Sequence, residues 1–216
     1  SSTDRLGELN LSGGFASLFR GTTVGGQVAD ISRRQLGSAF DGTTYNNFEI
    51  SARYVQKLHE SVGQELKRVF GGGNKKDEDK ARECCSELTN ANQVLTKSLH
   101  DAISRLGGVL ERFFGPQLQA FAFIDYESPG GEYGESLVVA ELITSVEQTL
   151  EPFRGELNAA NFDLLVITIV DQIIVPALEK LVIGRKAVSF SMVGAMQFDR
   201  DLRALSSFFS GLVQKS

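Results

Sequence analysis

The sequence predicts an all-α protein, an elongated bundle of long antiparallel helices, and three observations predict it. Apolar residues recur at three- and four-residue spacing through most of the chain after residue 46, which is the period of one helix face. Alternation with a period of two, which would indicate a half-buried strand, never extends beyond a few residues. The connections between the periodic segments are mostly short, so each apolar stripe can pack against the next helix.

Two regions of the chain differ in composition. Residues 1–45 are rich in Gly, Ser and Thr with short apolar clusters, which predicts one or two short helices joined by Gly-rich turns. Residues 46–216 form the predicted helical bundle. The chain opens on Ser1 without a signal sequence and ends within apolar helical periodicity, so we expect a truncated fragment of a longer polypeptide.

The first two predicted helices are long and are separated by a run of glycines. A stripe from Ile50 to Phe70 forms the first helix, which should end at Gly71-Gly72-Gly73 because consecutive glycines hold helical backbone poorly. Asp77 is the expected N-cap of the second helix, whose stripe continues for more than 30 residues. We expect Gly115-Pro116 to end this helix and a short apolar helix to follow at 118–124.

An acidic loop rich in Gly and Pro, at 125–135, leads into the second half of the chain. The next helical stripe begins at Leu137 and is predicted to end near Pro152. The final stripe begins at about Gln197 and continues to Leu212, with charged residues on the opposite face of the helix.

Residues 162–183 are the most apolar segment, and a strand and a membrane span are rivals to a helix. β-Branched residues favour a strand, but strands usually have about 4–8 residues and this run is far longer. Asp171, Glu179 and Lys180 interrupt the run, and each charge near a bilayer centre costs about 2.5–3.5 kcal/mol. We therefore expect a helix that is buried on most faces and is kinked or split at Pro176.

Composition disfavours several classes of function. The net charge of −5 and the pI of about 5.2 argue against nucleic-acid binding, for which a basic domain is expected. Cys84 and Cys85, the two cysteines, are adjacent and poorly placed to bond each other, so free thiols indicate a reducing compartment such as the cytoplasm. His59 and His100 lack a second ligand four residues on, and no Cys/His cluster occurs, so we expect no metal.

Catalytic signatures are missing from the sequence as well. The segment from Gly71 to Lys76 lacks the Gly-Lys-Ser/Thr of a phosphate-binding loop, and the chain has no Gly-x-Ser-x-Gly nucleophile elbow. The acidic residues of the 125–135 loop lack the spacing of a calcium-binding EF-hand. We expect a protein that is not an enzyme, needs no cofactor and works by binding other proteins.

Four stretches of the sequence carry a resemblance to a known family. They are Asn46 to Ser51 with Leu58, Phe70 followed by Gly71-Gly72, Leu178 to Val182, and Gly194-Ala195-Met196-Gln197-Phe198-Asp199-Arg200-Asp201-Leu202-Arg203-Ala204-Leu205. Together they resemble the C-terminal half of the fourth subunit of the conserved oligomeric Golgi complex. The resemblance covers residues 46–212, and residues 1–40 cannot be placed in it.

This resemblance implies a rod-like stack of helical bundles in a non-enzymatic vesicle-tethering scaffold. It implies a role in retrograde intra-Golgi vesicle transport and Golgi organisation, peripheral to the cytosolic face of the Golgi membrane. The implied partners are other subunits of the complex, SNAREs and small GTPases. The family's last helices, with a functionally important basic position, are expected to lie beyond Ser216, so no functional residue is carried over.

Three charged residues of the final helix are candidates for a protein contact. Asp199, Asp201 and Arg203 lie opposite the final apolar stripe, and either face a partner or simply cap and solvate their helix. Two alternatives to the Golgi complex also stay open at this point. One is a subunit of a related tethering complex such as the exocyst, and the other is a peripheral bundle that binds a membrane surface through Arg185-Lys186 and residues 162–183.

Overall fold

The segments with helical periodicity in the sequence are helical in a computed structural model of the protein. The structure describes residues 40–70, 75–127, 136–183 and 190–214. These residues lie in one compact unit that begins at Phe40. They contain no strand, and their helices pack together, which confirms the predicted all-α bundle. The predicted loops at 71–74, 128–135 and 184–189, and nearly all of residues 1–45, fall outside the described ranges.

Six α-helices follow one another along the described parts of the chain. They are α1 (Thr43–Phe70), α2 (Lys75–Ala120), α3 (Leu137–Arg154), α4 (Ala159–Ile169), α5 (Val175–Ile183) and α6 (Met192–Gln214). A 3₁₀ turn, Phe121–Phe123, extends α2, and a π-helical turn, Val170–Ile174, joins α4 to α5. The side chains of Ser136, Asn158 and Ser191 accept backbone hydrogen bonds from the first turns of α3, α4 and α6 and so cap these helices.

Helices α1 and α2 pack side by side as an antiparallel hairpin. Gly63 lies opposite Cys85 near the turn of the hairpin, and Tyr45 lies near Arg105 at its foot. The 46 residues of α2 give it a length of about 69 Å at 1.5 Å per residue. No described side chain in residues 46–70 or 75–98 is fully buried, because these parts of the two helices contact mainly each other.

The hydrophobic core lies where the second half of α2 meets α3, α4 and α6. Phe114 of α2, Phe153 of α3 and Phe162 of α4 are the largest side chains buried there. Burial of each contributes about 1.5–3 kcal/mol. Gly107 of α2 faces Ile169 of α4, and a Cβ at this position would lie in ordinary van der Waals contact with that side chain, at 3.7 Å.

The predicted end of the second helix at Gly115-Pro116 is wrong. Helix α2 continues past this pair to its 3₁₀ turn, although Pro116 removes one backbone hydrogen-bond donor. Phe114 and Leu118 are buried on either side of the proline. Ser145 of α3 also donates a hydrogen bond of 3.0 Å to the carbonyl of Phe113. Packing against α3 therefore outweighs the loss of one helical hydrogen bond.

Residues 162–183 are helical, as predicted, and their helix is divided just before Pro176. The π-helical turn lies directly before this proline. Helices commonly change direction or hydrogen-bonding pattern at such wider turns. Helix α4 is buried over most of its surface apart from Ile167, whereas Val175, Pro176, Glu179 and Lys180 in the first part of α5 are exposed. Burial on most faces, expected for the whole segment, holds for α4 but not for residues 175–180.

Length and composition make Ala159–Lys180 apolar enough to cross a membrane, with a mean hydropathy of 1.7. A buried core helix passes the same test, so this property is weak support for a membrane span. Phe162, Leu165 and Ile169 lie in the core, which accounts for the apolar character of the first part of this segment.

Two helix starts differ from the sequence prediction by a few residues. Helix α2 begins at Lys75, so Asp77, the expected N-cap, lies inside it, and α6 begins at Met192 instead of near Gln197. Helix α3 ends at Arg154, near Pro152 as predicted. The earlier start of α6 follows from its cap, because the hydroxyl of Ser191 accepts the N–H of Gly194 at 3.0 Å.

Candidate interaction surfaces and the Asp201 junction

The three residues singled out in the final helix occupy two different environments. Asp199 and Arg203 lie on the outer face of α6 and form an exposed ion pair, with 2.8 Å between Asp199 Oδ2 and Arg203 Nε. Such a pair stabilises a helix by only about 0.3–0.5 kcal/mol. Asp201 has 0% of its surface exposed and is directed into the protein's own interior. Of the three, Asp199 and Arg203 are the ones accessible to a partner, and their contact role stays a prediction.

The carboxylate of Asp201 is the meeting point of three parts of the chain. Tyr126 donates its phenolic O–H to Oδ2 at 2.8 Å, and the backbone N–H of Ser136 donates to Oδ1 at 2.7 Å. Gln197, one turn earlier in α6, donates from Nε2 to Oδ1 at 3.0 Å. We call Asp201, Tyr126, Ser136 and Gln197 the Asp201 junction. It ties α6 to the residues at both ends of the predicted acidic loop.

Aromatic rings enclose the phenol of the Asp201 junction. The ring of Tyr126 stacks on Phe190 and meets Phe198 edge-on, with 5.4 Å between ring centroids in both cases. Burial raises the pKa of the Tyr126 hydroxyl well above its ordinary value of 10, and the hydrogen bond to Asp201 and the charge of that carboxylate raise it further. Tyr126 is therefore a neutral hydrogen-bond donor at physiological pH.

Backbone groups of Tyr126 hold the start of α6 as well. Its carbonyl oxygen accepts the N–H of Ser191 at 3.2 Å. A Cβ at Gly194 would lie 1.5 Å from the same oxygen, so only a glycine lets the first turn of α6 come this close. The 194–205 stretch that carries the family resemblance thus contributes four residues to this internal contact: Gly194, Gln197, Phe198 and Asp201.

A second polar junction joins the foot of α1 to the turn between α3 and α4. The Asn46 amide donates to the carbonyl of Glu156 at 2.9 Å. Its Oδ1 accepts the N–H of Asn158 at 2.9 Å and Nδ2–H of Asn161 at 3.1 Å. Gly42 makes this approach possible, since a Cβ there would lie 2.0 Å from the Glu156 carbonyl oxygen. Asn46 therefore anchors the hairpin on the core.

The outer side of α1 carries an apolar row that is exposed in the described structure. Ile50, Tyr54 and Leu58 are spaced four residues apart, so they lie on one face of the helix, with 46%, 73% and 51% of their surfaces exposed. Val69, three turns beyond Leu58 on the same side, is exposed as well. We call these four residues the α1 seam.

The α1 seam was part of a single apolar stripe in the sequence prediction. In the structure α2 covers only one side of that stripe, where Val62, Leu66 and Phe70 are half-buried. An apolar arc of about 100° is enough to face one neighbouring helix. The sequence signal for this surface is the width of the apolar stripe. The stripe is wider than one neighbouring helix can cover, so some of its apolar side chains remain available to a second helix.

An open groove of about 530 Å³ lies between α1 and α2 close to the turn of the hairpin. Its mostly apolar walls include Leu66, Phe70 and Ala81, and His59 and Cys85 also contribute. Such walls suit an aliphatic side chain better than a charged substrate. Within the described ranges, His, Cys, Asp and Glu form no group of three or more that could hold a metal ion.

Comparison with known proteins identifies the family. The family model described as "Conserved oligomeric Golgi complex subunit 4, C-terminal" matches residues 43–214, which is most of the chain. The chain belongs to the conserved oligomeric Golgi complex subunit 4 family. This result confirms the resemblance stated from the sequence, and the matched span contains both the Asp201 junction and Asn46.

Members of the conserved oligomeric Golgi complex subunit 4 family from distant organisms are similar to this chain. The subunit from Arabidopsis thaliana is 30% identical over 178 residues, which cover 81% of this chain and 23% of the relative. The Drosophila melanogaster subunit is 24% identical over 172 residues, covering 77% and 22%, and the human subunit is 21% identical over 174 residues, covering 77% and 22%. The chain thus spans less than a quarter of the length of these relatives. The matches favour this complex over the exocyst-type and membrane-surface alternatives.

Proposed function

We propose that this chain is part of a non-enzymatic tethering scaffold that acts in retrograde intra-Golgi vesicle transport and Golgi organisation by binding other proteins. Membership of the family, and relatives that carry the name of a Golgi complex subunit, support this proposal. The first partners are other subunits of the same complex, with SNAREs and small GTPases as further partners. The site of action is the cytosolic face of the Golgi membrane, where the protein is peripheral.

The α1 seam is the structural observation that carries the proposal. Apolar side chains at four-residue spacing form the ridge with which one helix packs into the groove of another. Tyr54 adds a tyrosine, one of the residue types that dominate binding energy at protein interfaces. We therefore assign the α1 seam to a helix of another subunit, lying along α1 on the side that α2 leaves open.

Two substitutions in the same helix test the α1 seam. Tyr54→Lys places a charge in the seam, and Gln56→Lys places the same charge at an exposed position on a different face. Binding of the full-length protein to the other purified subunits is measured by titration calorimetry. We expect Tyr54→Lys to weaken binding at least about tenfold, the equivalent of ~1.4 kcal/mol, while Gln56→Lys leaves it unchanged.

Loss of the fold would not explain this result, because both side chains are exposed and their removal opens no cavity. Circular dichroism of both variants verifies that point. Unchanged binding by both Tyr54→Lys and Leu58→Lys would remove the α1 seam from the proposal. Failure of the unaltered full-length protein to bind any subunit would contradict the proposed function itself.

A further inference from the structure

We infer that the Asp201 junction couples the first half of α6 to the residues around Tyr126 and Ser136, so that these parts loosen and close as one cooperative unit. Tyr126 follows the 3₁₀ turn at the end of α2, and Ser136 is the cap of α3. Both are bonded to a single carboxylate on α6. Three elements of the fold thus depend on the same two oxygen atoms.

Burial of the carboxylate is the reason why the three contacts act together. Asp201 has no exposed surface, and the hydrogen bonds that reach it come from neutral donors. A carboxylate in such a site is stable only while its donors replace the water that it has lost. Loss of one donor raises the free energy of the buried arrangement relative to one in which Asp201 is hydrated, and in that hydrated arrangement the other donors lose their acceptor as well.

Contacts of Tyr126 extend the coupling to the start of α6. The carbonyl of Tyr126 bonds the N–H of Ser191, and Gly194 rests against the same oxygen. The ring of Tyr126 is enclosed by Phe190 and Phe198, which stand on either side of the first turn of α6. A displacement of Tyr126 therefore disturbs the cap, the first turn and the buried carboxylate of this helix at once.

The coupling through the Asp201 junction also affects the outer face of the first half of α6, where a partner could bind. Asp199 and Arg203 lie there beside the exposed side chains of Met192 and Met196. A protein that binds this face only while α6 is ordered would stabilise the contacts of Tyr126 and Ser136, and by reciprocity loss of those contacts would weaken its binding. The exposed pair and the buried carboxylate two residues from Asp199 lie on opposite faces of the same half of α6.

Two substitutions of Ser136 distinguish the role of its backbone N–H from the role of its capping hydroxyl. The φ angle of Ser136 is −65°, which proline also adopts, so Ser136→Pro leaves the φ angle unchanged. It replaces the N–H with a Cδ that faces Asp201 Oδ1, so it breaks this contact both by loss of the donor and by steric contact. Ser136→Ala keeps the N–H, and both variants lose the capping hydroxyl. Hydrogen exchange of the whole chain, read by mass spectrometry, should be about tenfold faster over residues 192–205 in Ser136→Pro than in Ser136→Ala.

Tyr126→Phe provides the reciprocal test, because it keeps the aromatic packing and removes one O–H donor. We expect exchange to accelerate about tenfold both at the first turn of α3 and over residues 192–205, with the hairpin α1–α2 unchanged. Asp199→Asn, which breaks only the exposed ion pair, should leave exchange as it is. Acceleration confined to one of the two segments, equal acceleration over the whole chain, or none at all would overturn the inference.

Discussion

Gly194 shows how the absence of one side chain sets the position of a helix. A Cβ at this residue would lie 1.5 Å from the Tyr126 carbonyl oxygen, which also accepts the N–H of Ser191 at 3.2 Å. We expect Gly194→Ala to lower the free energy of unfolding by about 3 kcal/mol or more, measured by urea denaturation.

Gly108 offers the matched control for this substitution. It also lies inside a helix, but a Cβ there would meet nothing within 4 Å. Gly108→Ala should therefore stabilise the protein by about 1 kcal/mol through helix propensity alone. A gain in stability with Gly194→Ala as well would show that α6 does not need the close contact with Tyr126.

Tyr126 gives the protein a defined response to alkaline pH. Its pKa is raised in the folded state, so the folded protein keeps a proton that the unfolded chain loses near pH 10. This contribution to stability is fully present below pH ~10 and is lost as the pH rises, by up to about 1.4 kcal/mol per pH unit.

We expect the stability of Tyr126→Phe to fall less steeply than that of the unaltered protein between pH ~10 and pH ~11.5 in urea denaturation. Tyr45, whose pKa burial also raises, is present in both proteins, so its effect cancels in the comparison. Equal slopes for the two proteins would mean that the Tyr126 hydroxyl ionises as freely in the fold as in the unfolded chain.

Periodicity predicted each of the long helices, and local breakers predicted their ends with uneven success. The first helix ends at Phe70 as expected, since little tertiary burial near that end opposes the glycines that follow. Pro116 and Pro152 look equally disruptive in the sequence, but both lie within helices whose neighbouring side chains are buried in the core. That burial depends on other helices, so a local pattern does not reveal it.

Asn46 is the polar anchor of one element, the hairpin, on the rest of the fold. Asn46→Ala removes three hydrogen bonds and leaves the N–H of Asn158 and the carbonyl of Glu156 without their partner. We expect a loss of about 2–3 kcal/mol in the free energy of unfolding, measured by urea denaturation. The neighbouring Asn47 is exposed, and Asn47→Ala should change stability by no more than about 0.5 kcal/mol. Similar losses for the two variants would contradict the anchoring role.

At the level of the whole molecule, the candidate site depends on contacts that no local pattern contains. Asp201 stands among charged residues opposite an apolar stripe, which predicts a solvated side chain. It is buried because Tyr126 and Ser136, 75 and 65 residues earlier in the chain, converge on it. Asp199 and Arg203 pair with each other within one helix, and they lie at the surface as the pattern indicates.

The hairpin and the core differ in how much they bury, and this difference can be tested on the whole molecule. No described side chain in the outer hairpin is fully buried, so the core should fold without it. We propose deleting residues 56–93 and joining the ends with the four-residue sequence Gly-Gly-Gly-Asn of residues 71–74. The melting temperature should fall by less than about 5 °C, because only a small part of the buried surface is lost. Phe114→Ala, a core substitution, should cost about 3–5 kcal/mol in the same background.

The same shortened protein separates the stability of the fold from its binding function. It lacks Leu58 and Val69 of the α1 seam and the groove beside Phe70, while the Asp201 junction remains intact. We expect a cooperative unfolding transition together with at least tenfold weaker binding to the other subunits, on the scale where ~1.4 kcal/mol is tenfold. Loss of cooperative unfolding would mean that the hairpin is part of the folding unit. Undiminished binding would place the subunit contact on the parts that remain, either Ile50 and Tyr54 at the foot of α1 or the exposed pair on α6.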